Sequence, residues 1–249
     1  SSEPEMTYAD LGSEEYPQKF YMEYVPCNTG QNWSPENFNT DMLPEWQDLL
    51  VETNSTLVEA FGIGFEGEKP EGTEEDGYWQ LLWNSKEDAE AGWETWEGYD
   101  KTADWAEANA DILACGSKAD TFSFDAYVRR SRDGLGTFDL TAFSSEYQFC
   151  AYNEGQGVDE LISVIDDFED WLVSDENSLD SPYTYVVLAP DYETEEFDLA
   201  WGNFHQSKEM REAGLANFLD TAPEIQEAFD KVLSCQEPNG FNSGQIPLI

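Results

Sequence analysis

One unit is written twice in this chain of 249 residues, and no other feature narrows its fold as much. The run SKEDAEAG at 85–92 recurs as SKEMREAG at 207–214, identical at six of eight positions, at an offset of 122 (207 − 85). Farther on, 102–115 matches 221–235, and the closing cysteines Cys115 and Cys235 stand 120 apart (235 − 115). Upstream, a strand-like run ending on Cys27 corresponds to one ending on Cys150, at an offset of 123 (150 − 27). The chain therefore divides into a polar N-terminal arm over 1–17, a first repeat over 18–135 and a second over 136–249.

The cysteines follow the same symmetry. Each repeat has one at the end of its first strand and one at the end of its last helix. Of the three pairings open to four cysteines, only Cys27–Cys115 with Cys150–Cys235 treats the repeats alike and keeps each bridge inside one of them. Such bridges place a protein outside the reducing cytosol. The opening Ser1-Ser2-Glu3-Pro4, without Met or hydrophobic leader, fits a mature secreted or periplasmic chain.

Each repeat reads β-α-β-β-α-β, with its second helix in two pieces. In the first, strands fall at 19–26, 56–65, 78–83 and 121–129. Helices are carried by Phe38, Met42, Leu43, Trp46, Leu49 and Leu50, then by Trp93 and Trp96, then by Trp105, Ala108, Ile112 and Leu113. In the second, strands fall at 146–152, 183–189 and 196–201, with a last one within 239–249. Val158, Leu161, Ile162, Ile165, Phe168 and Leu172 make one helical face over 158–173, and two further helices cover 207–219 and 223–235. This order is the ferredoxin-like split motif, whose sheet is covered by helices on one face only. Two copies can cover each other's bare faces, so the predicted fold is α+β, two ferredoxin-like repeats packed sheet to sheet as a pseudo-dimeric barrel.

The run Trp83-Asn84-Ser85-Lys86-Glu87-Asp88-Ala89, a strand-ending Trp before an acidic, Ala-rich helix, resembles the dimeric α+β barrel superfamily. Antibiotic-biosynthesis-type monooxygenases, haem-degrading enzymes and chlorite dismutases belong to that group. Trp201 followed by Ser207-Lys208-Glu209 is similar if 202–205 is a four-residue insertion peculiar to the second repeat. The resemblance implies either a small-ligand-binding barrel or an oxygenase, cofactor-independent or haem-linked.

Charge excludes several partners. With 54 Asp and Glu against 11 Lys and Arg, the net charge is −43, which repels nucleic acid and anionic membrane surfaces. A hydrophobic content of 40% and an aromatic content of 14% exclude a disordered acidic chain. Carboxylates spread along the whole length point to salt-rich water, where the screening length falls to ~3 Å at 1 M and solvent cations balance the charge.

Candidate chemistry is sparse. His205, the single histidine, lies in the supposed insertion and is the candidate haem ligand or general base. The alternative for it is a solvated loop. Arg129, Arg130 and Arg132 could clamp an anionic ligand, or join the repeats through ion pairs. Trp79, Trp83 and Trp201, with Asn84 and Asn203 beside them, could hold a small apolar or aromatic ligand between the sheets, the alternative being core packing. No metal-ligand spacing occurs, and no cofactor other than haem is suggested. Exposed sheet edges also allow homo-oligomers or an extracellular assembly protein.

Overall fold

The computed structural model describes residues 19–128, 138–179 and 182–249. They form two compact units, one of 20–124 with 241–249 and the other of 125–240.

In the unit built on the first repeat, β1 (Lys19–Thr29) pairs antiparallel with β3 (Gly77–Trp83), and β3 with β2 (Glu59–Phe65). The β2 register runs without a break, so Gly62 and Gly64 make no bulge there. Against one face lie α2 (Leu43–Glu52), α3 (Lys86–Glu97) and α4 (Asp100–Ala108). The predicted first helix starts where Ser34 accepts the Asn37 N–H, as the one-turn α1 (Pro35–Asn37), and widens through a π turn at Phe38–Met42 before α2. Trp79 packs on Trp46 at 4.9 Å and Phe38 at 5.7 Å between ring centroids, fixing this helix to the sheet.

The other unit repeats the plan. β6 (Phe143–Tyr152) pairs with β8 (Leu199–His205), and β8 with β7 (Tyr183–Pro190). Helices α5 (Val158–Leu172), α6 (Lys208–Thr221) and α7 (Pro223–Val232) complete it. The predicted stripe on α5 is its buried face, Leu161, Ile162, Ile165, Phe168 and Leu172 included. Ser85 and Ser207 cap α3 and α6 in the same way, each hydroxyl accepting the backbone N–H three residues on. One offset of 122 therefore holds at the start of both helices.

Two features depart from the sequence reading. The closing cysteines do not sit on helices: after α4 and α7 the chain enters three-residue strands, β4 (Leu113–Cys115) and β9 (Leu233–Cys235), which pair with β1 and β6. Cys27 thus stands opposite Cys115 and Cys150 opposite Cys235, and both disulfides form, with each Cα pair 4.0 Å apart. The second departure is the last strand, β10 (Asn239–Ile246), which pairs with β2 of the first repeat, Phe241 opposite Phe65 and Ile246 opposite Ala60. Phe241 packs on Phe65 at 4.8 Å, Ile246 joins the first repeat's core, and Gln47 donates to the Pro247 carbonyl at 2.8 Å. Conversely, β5 (Phe122–Val128) starts among the residues of the first unit and ends among those of the second.

Candidate functional site

The strand registers align the repeats residue by residue. Cys27 faces Gly77 and Cys150 faces Leu199, so Gly77 corresponds to Leu199, Trp79 to Trp201, Leu81 to Asn203 and Trp83 to His205, all at the offset of 122 found at the serine caps. No insertion exists. The stretch 202–205 is the second half of β8, and His205 is a buried strand residue in the place of Trp83, not a loop residue. Matching Trp83 with Trp201 misled the sequence alignment because both are strand tryptophans followed by a helix cap.

In the first repeat this helix-facing side is filled. Trp83 and Trp93 donate their indole N–H groups to Glu23 Oε2 at 3.0 and 2.6 Å, and Glu23 Oε1 holds Lys118 and, at 3.3 Å, Ser123. Trp96 packs edge-on against Trp105 at 5.8 Å. Gly92 is required where α3 crosses Trp83, since a Cβ there would lie 2.6 Å from the indole.

In the second repeat every one of those indoles is replaced by something smaller. Trp83 becomes His205, Trp93 becomes Leu215, Trp96 becomes Phe218 and Trp105 becomes Ile225. Two apolar strand positions turn polar as well, Val25 to Gln148 and Leu81 to Asn203. The result is a cavity of about 630 Å³ between the β6–β8 face and helices α5, α6 and α7, within the usual range for small-molecule sites of roughly 300–1,000 Å³. Glu146, Gln148, Trp201, Asn203 and His205 line it from the sheet, and Phe168, Trp171, Phe218 and Phe229 from the helices. Leu215 and Leu219, both about half exposed, stand at its edge on α6.

The polar groups are arranged by their neighbours. Asn203 Oδ1 accepts from Tyr183 Oη and from Trp201 Nε1, each at 2.9 Å, which fixes the amide's orientation. Trp79, whose counterpart of Asn203 is Leu81, keeps a buried Nε1 without an acceptor, which confirms the alignment chemically. Arg211 donates to Ser144 Oγ at 2.7 Å and pairs with Glu146 at 3.3 Å, tying α6 to β6. His205 packs at a tilt of 40° on Tyr183, 4.8 Å between ring centroids, and its Nδ1 is buried without a hydrogen-bond partner. A Cβ on Gly214 would come 3.0 Å from His205 Nε2, so the glycine again lets the helix approach the ring.

Burial, followed by the nearby Arg211 charge, pushes the His205 pKa down to about 4, so the imidazole is neutral at pH 7. Between that value and the unfolded value near 6.5 the unfolded chain binds the extra proton. This contribution to stability is complete above about pH 6.5 and is lost as pH falls through 4, by at most about 3 kcal/mol. Denaturation of the wild type and of His205→Gln at pH 7 and pH 4 checks this: the wild type should lose more, by a margin of that order, and equal losses would contradict it.

The residues singled out from the sequence part company here. Trp201, Asn203 and His205 meet at one cavity. Trp79 and Trp83 belong to the filled first repeat and pack toward its helices, and Asn84 is exposed in the turn before α3. Arg129, Arg130 and Arg132 lie outside the described residues. Sequence reading missed Glu146, Gln148, Arg211 and Leu215. The signal was available in the serine-to-serine offset carried through the strands without a gap.

No protein-family model and no curated protein sequence matches the chain. Solved structures do. A chlorite dismutase from Candidatus Nitrospira defluvii, in complex with imidazole, is similar over 92% of each chain with a TM-score of 0.53 and 8% identity. A Fusobacterium nucleatum protein provisionally named a monooxygenase is similar over 92% of each chain with a TM-score of 0.52 and 8% identity. The chain shares the mixed α/β fold of these structures. Identity this low carries the fold and no activity.

Haem, which the fold suggests, can be tested against the lining. His205 supplies an imidazole, but one nitrogen is enclosed and the other is packed at Gly214. Two propionates would meet three lining carboxylates, Glu146, Asp230 and Glu237, and one guanidinium already bonded to Glu146 and Ser144. The lining of this cavity does not fit haem.

Proposed function

We propose that the second repeat is a receptor for a small, largely aromatic molecule, bound between its sheet and its helices, while the first repeat is its filled structural counterpart. The observation that carries this reading is the concerted replacement: four indoles give way to smaller side chains, three of which, His205, Leu215 and Phe218, line the cavity together with the two added polar strand residues, Gln148 and Asn203. The disulfides and the dispersed carboxylates support a secreted or periplasmic life in salt-rich water.

Calorimetric titration with 2-naphthylmethanol tests the receptor reading. Saturable one-to-one binding is expected, weakened in Asn203→Leu, which carries the first repeat's residue at that position. Absence of saturable binding would remove the reading.

A second reading, a cofactor-independent oxygenase, is favoured by one observation: the Asn203 amide is locked beside Trp201 with its oxygen already occupied, leaving its N–H donors for a substrate oxygen. Oxygen uptake with a dihydroxynaphthalene, rising in proportion to protein and lost in Asn203→Leu, would support it.

A further inference from the structure

We infer that the guest of this cavity is an organic cation, an ammonium group carried on an apolar, ring-bearing body. This rests on the reading of the cavity as a ligand site and adds the sign of the ligand's charge.

The charged lining is one-sided. Glu146, Asp230 and Glu237 face a single guanidinium, Arg211, which already bonds Glu146 and Ser144. Asp230 and Glu237 are exposed, so they can meet a guest on arrival from solvent. Lys231 lies in the last turn of α7 but does not line the cavity. The whole chain, at −43, gives a long-range field of the same sign. An anion entering here is repelled at every stage, and a cation is drawn in.

The interior suits the same guest. Phe168, Trp201 and Phe229 line the cavity with aromatic rings, the side-chain class that attracts ammonium groups. His205, 8% exposed with an unpartnered Nδ1, lines the cavity as a neutral polar group. It adds no positive charge to oppose an ammonium.

Three probes of nearly equal shape separate the contributions: 2-naphthylmethylammonium, 2-naphthylmethanol and 2-naphthoate, titrated calorimetrically into the whole protein at about 0.05 M and about 1 M salt. The ammonium is expected to bind at least about tenfold more tightly than the carboxylate at low salt, with the ratio shrinking at high salt. Asp230→Asn combined with Glu237→Gln, at exposed positions, should lower that ratio severalfold. If the alcohol binds and the carboxylate binds as tightly as the ammonium, the charge inference is overturned while the ligand site stands. If none of the three binds, both are overturned.

Discussion

Replacing Glu23 with alanine is expected to destabilise the first repeat by about 3–5 kcal/mol, the range for removing one partner of a buried ionic network. Glu23 is fully buried, and its two carboxylate oxygens serve two indole N–H groups, a lysine and a hydroxyl. Truncation leaves Lys118 without its counter-charge, Trp83 and Trp93 without acceptors, and a void beneath both rings. The matched residue Glu146 is about one-fifth exposed and has Arg211 at 3.3 Å as its charged partner, so Glu146→Ala should cost less, about 1–3 kcal/mol. Denaturant unfolding of both variants at pH 7 compares them directly. Equal costs would mean that the carboxylate is not what holds the tryptophans of the first repeat in place.

Returning the lost indoles to the second repeat should close its site. In the double variant His205→Trp with Leu215→Trp, the two rings occupy the positions that Trp83 and Trp93 fill in the first repeat, with Gly214 in place to admit the first as Gly92 does. Binding of 2-naphthylmethanol is expected to fall by about 100-fold or more, equivalent to about 2.7 kcal/mol. Stability should change by no more than the ordinary overpacking cost of about 1–3 kcal/mol, because Leu215 is 54% exposed and the new volume enters an existing cavity. Retained binding in a folded double variant would place the ligand elsewhere.

Much of the fold was legible because it rests on local patterns that occur twice. The stripe on α5, the serine caps and the symmetric cysteines each carry a physical signal that needs no partner to be read. The pairing of β10 with β2 was not legible, since the alternation of a strand records which face is buried and not which strand lies beside it. Nor were β4 and β9, which are too short to show a period and continue directly from helical runs.

The site was half legible. Trp201, Asn203 and His205 drew notice by residue type, but the space they line could not be seen while Trp201 was matched to Trp83. A tryptophan is a poor anchor in a chain with nine of them, whereas a helix cap has fixed geometry. Aligned on Ser85 and Ser207, the loss of indole volume at His205, Leu215 and Phe218 reads directly from the two repeats, and the cavity becomes an expectation of the sequence itself.

The most direct measurement is a crystal structure of the protein with 2-naphthylmethanol bound. The account predicts the ring between β8 and helices α6 and α7, against Trp201 and Phe229, with its hydroxyl within hydrogen-bond distance of Asn203. Density for the ring at the Glu23 side of the first repeat, or on the surface with the cavity of the second repeat collapsed, would contradict it.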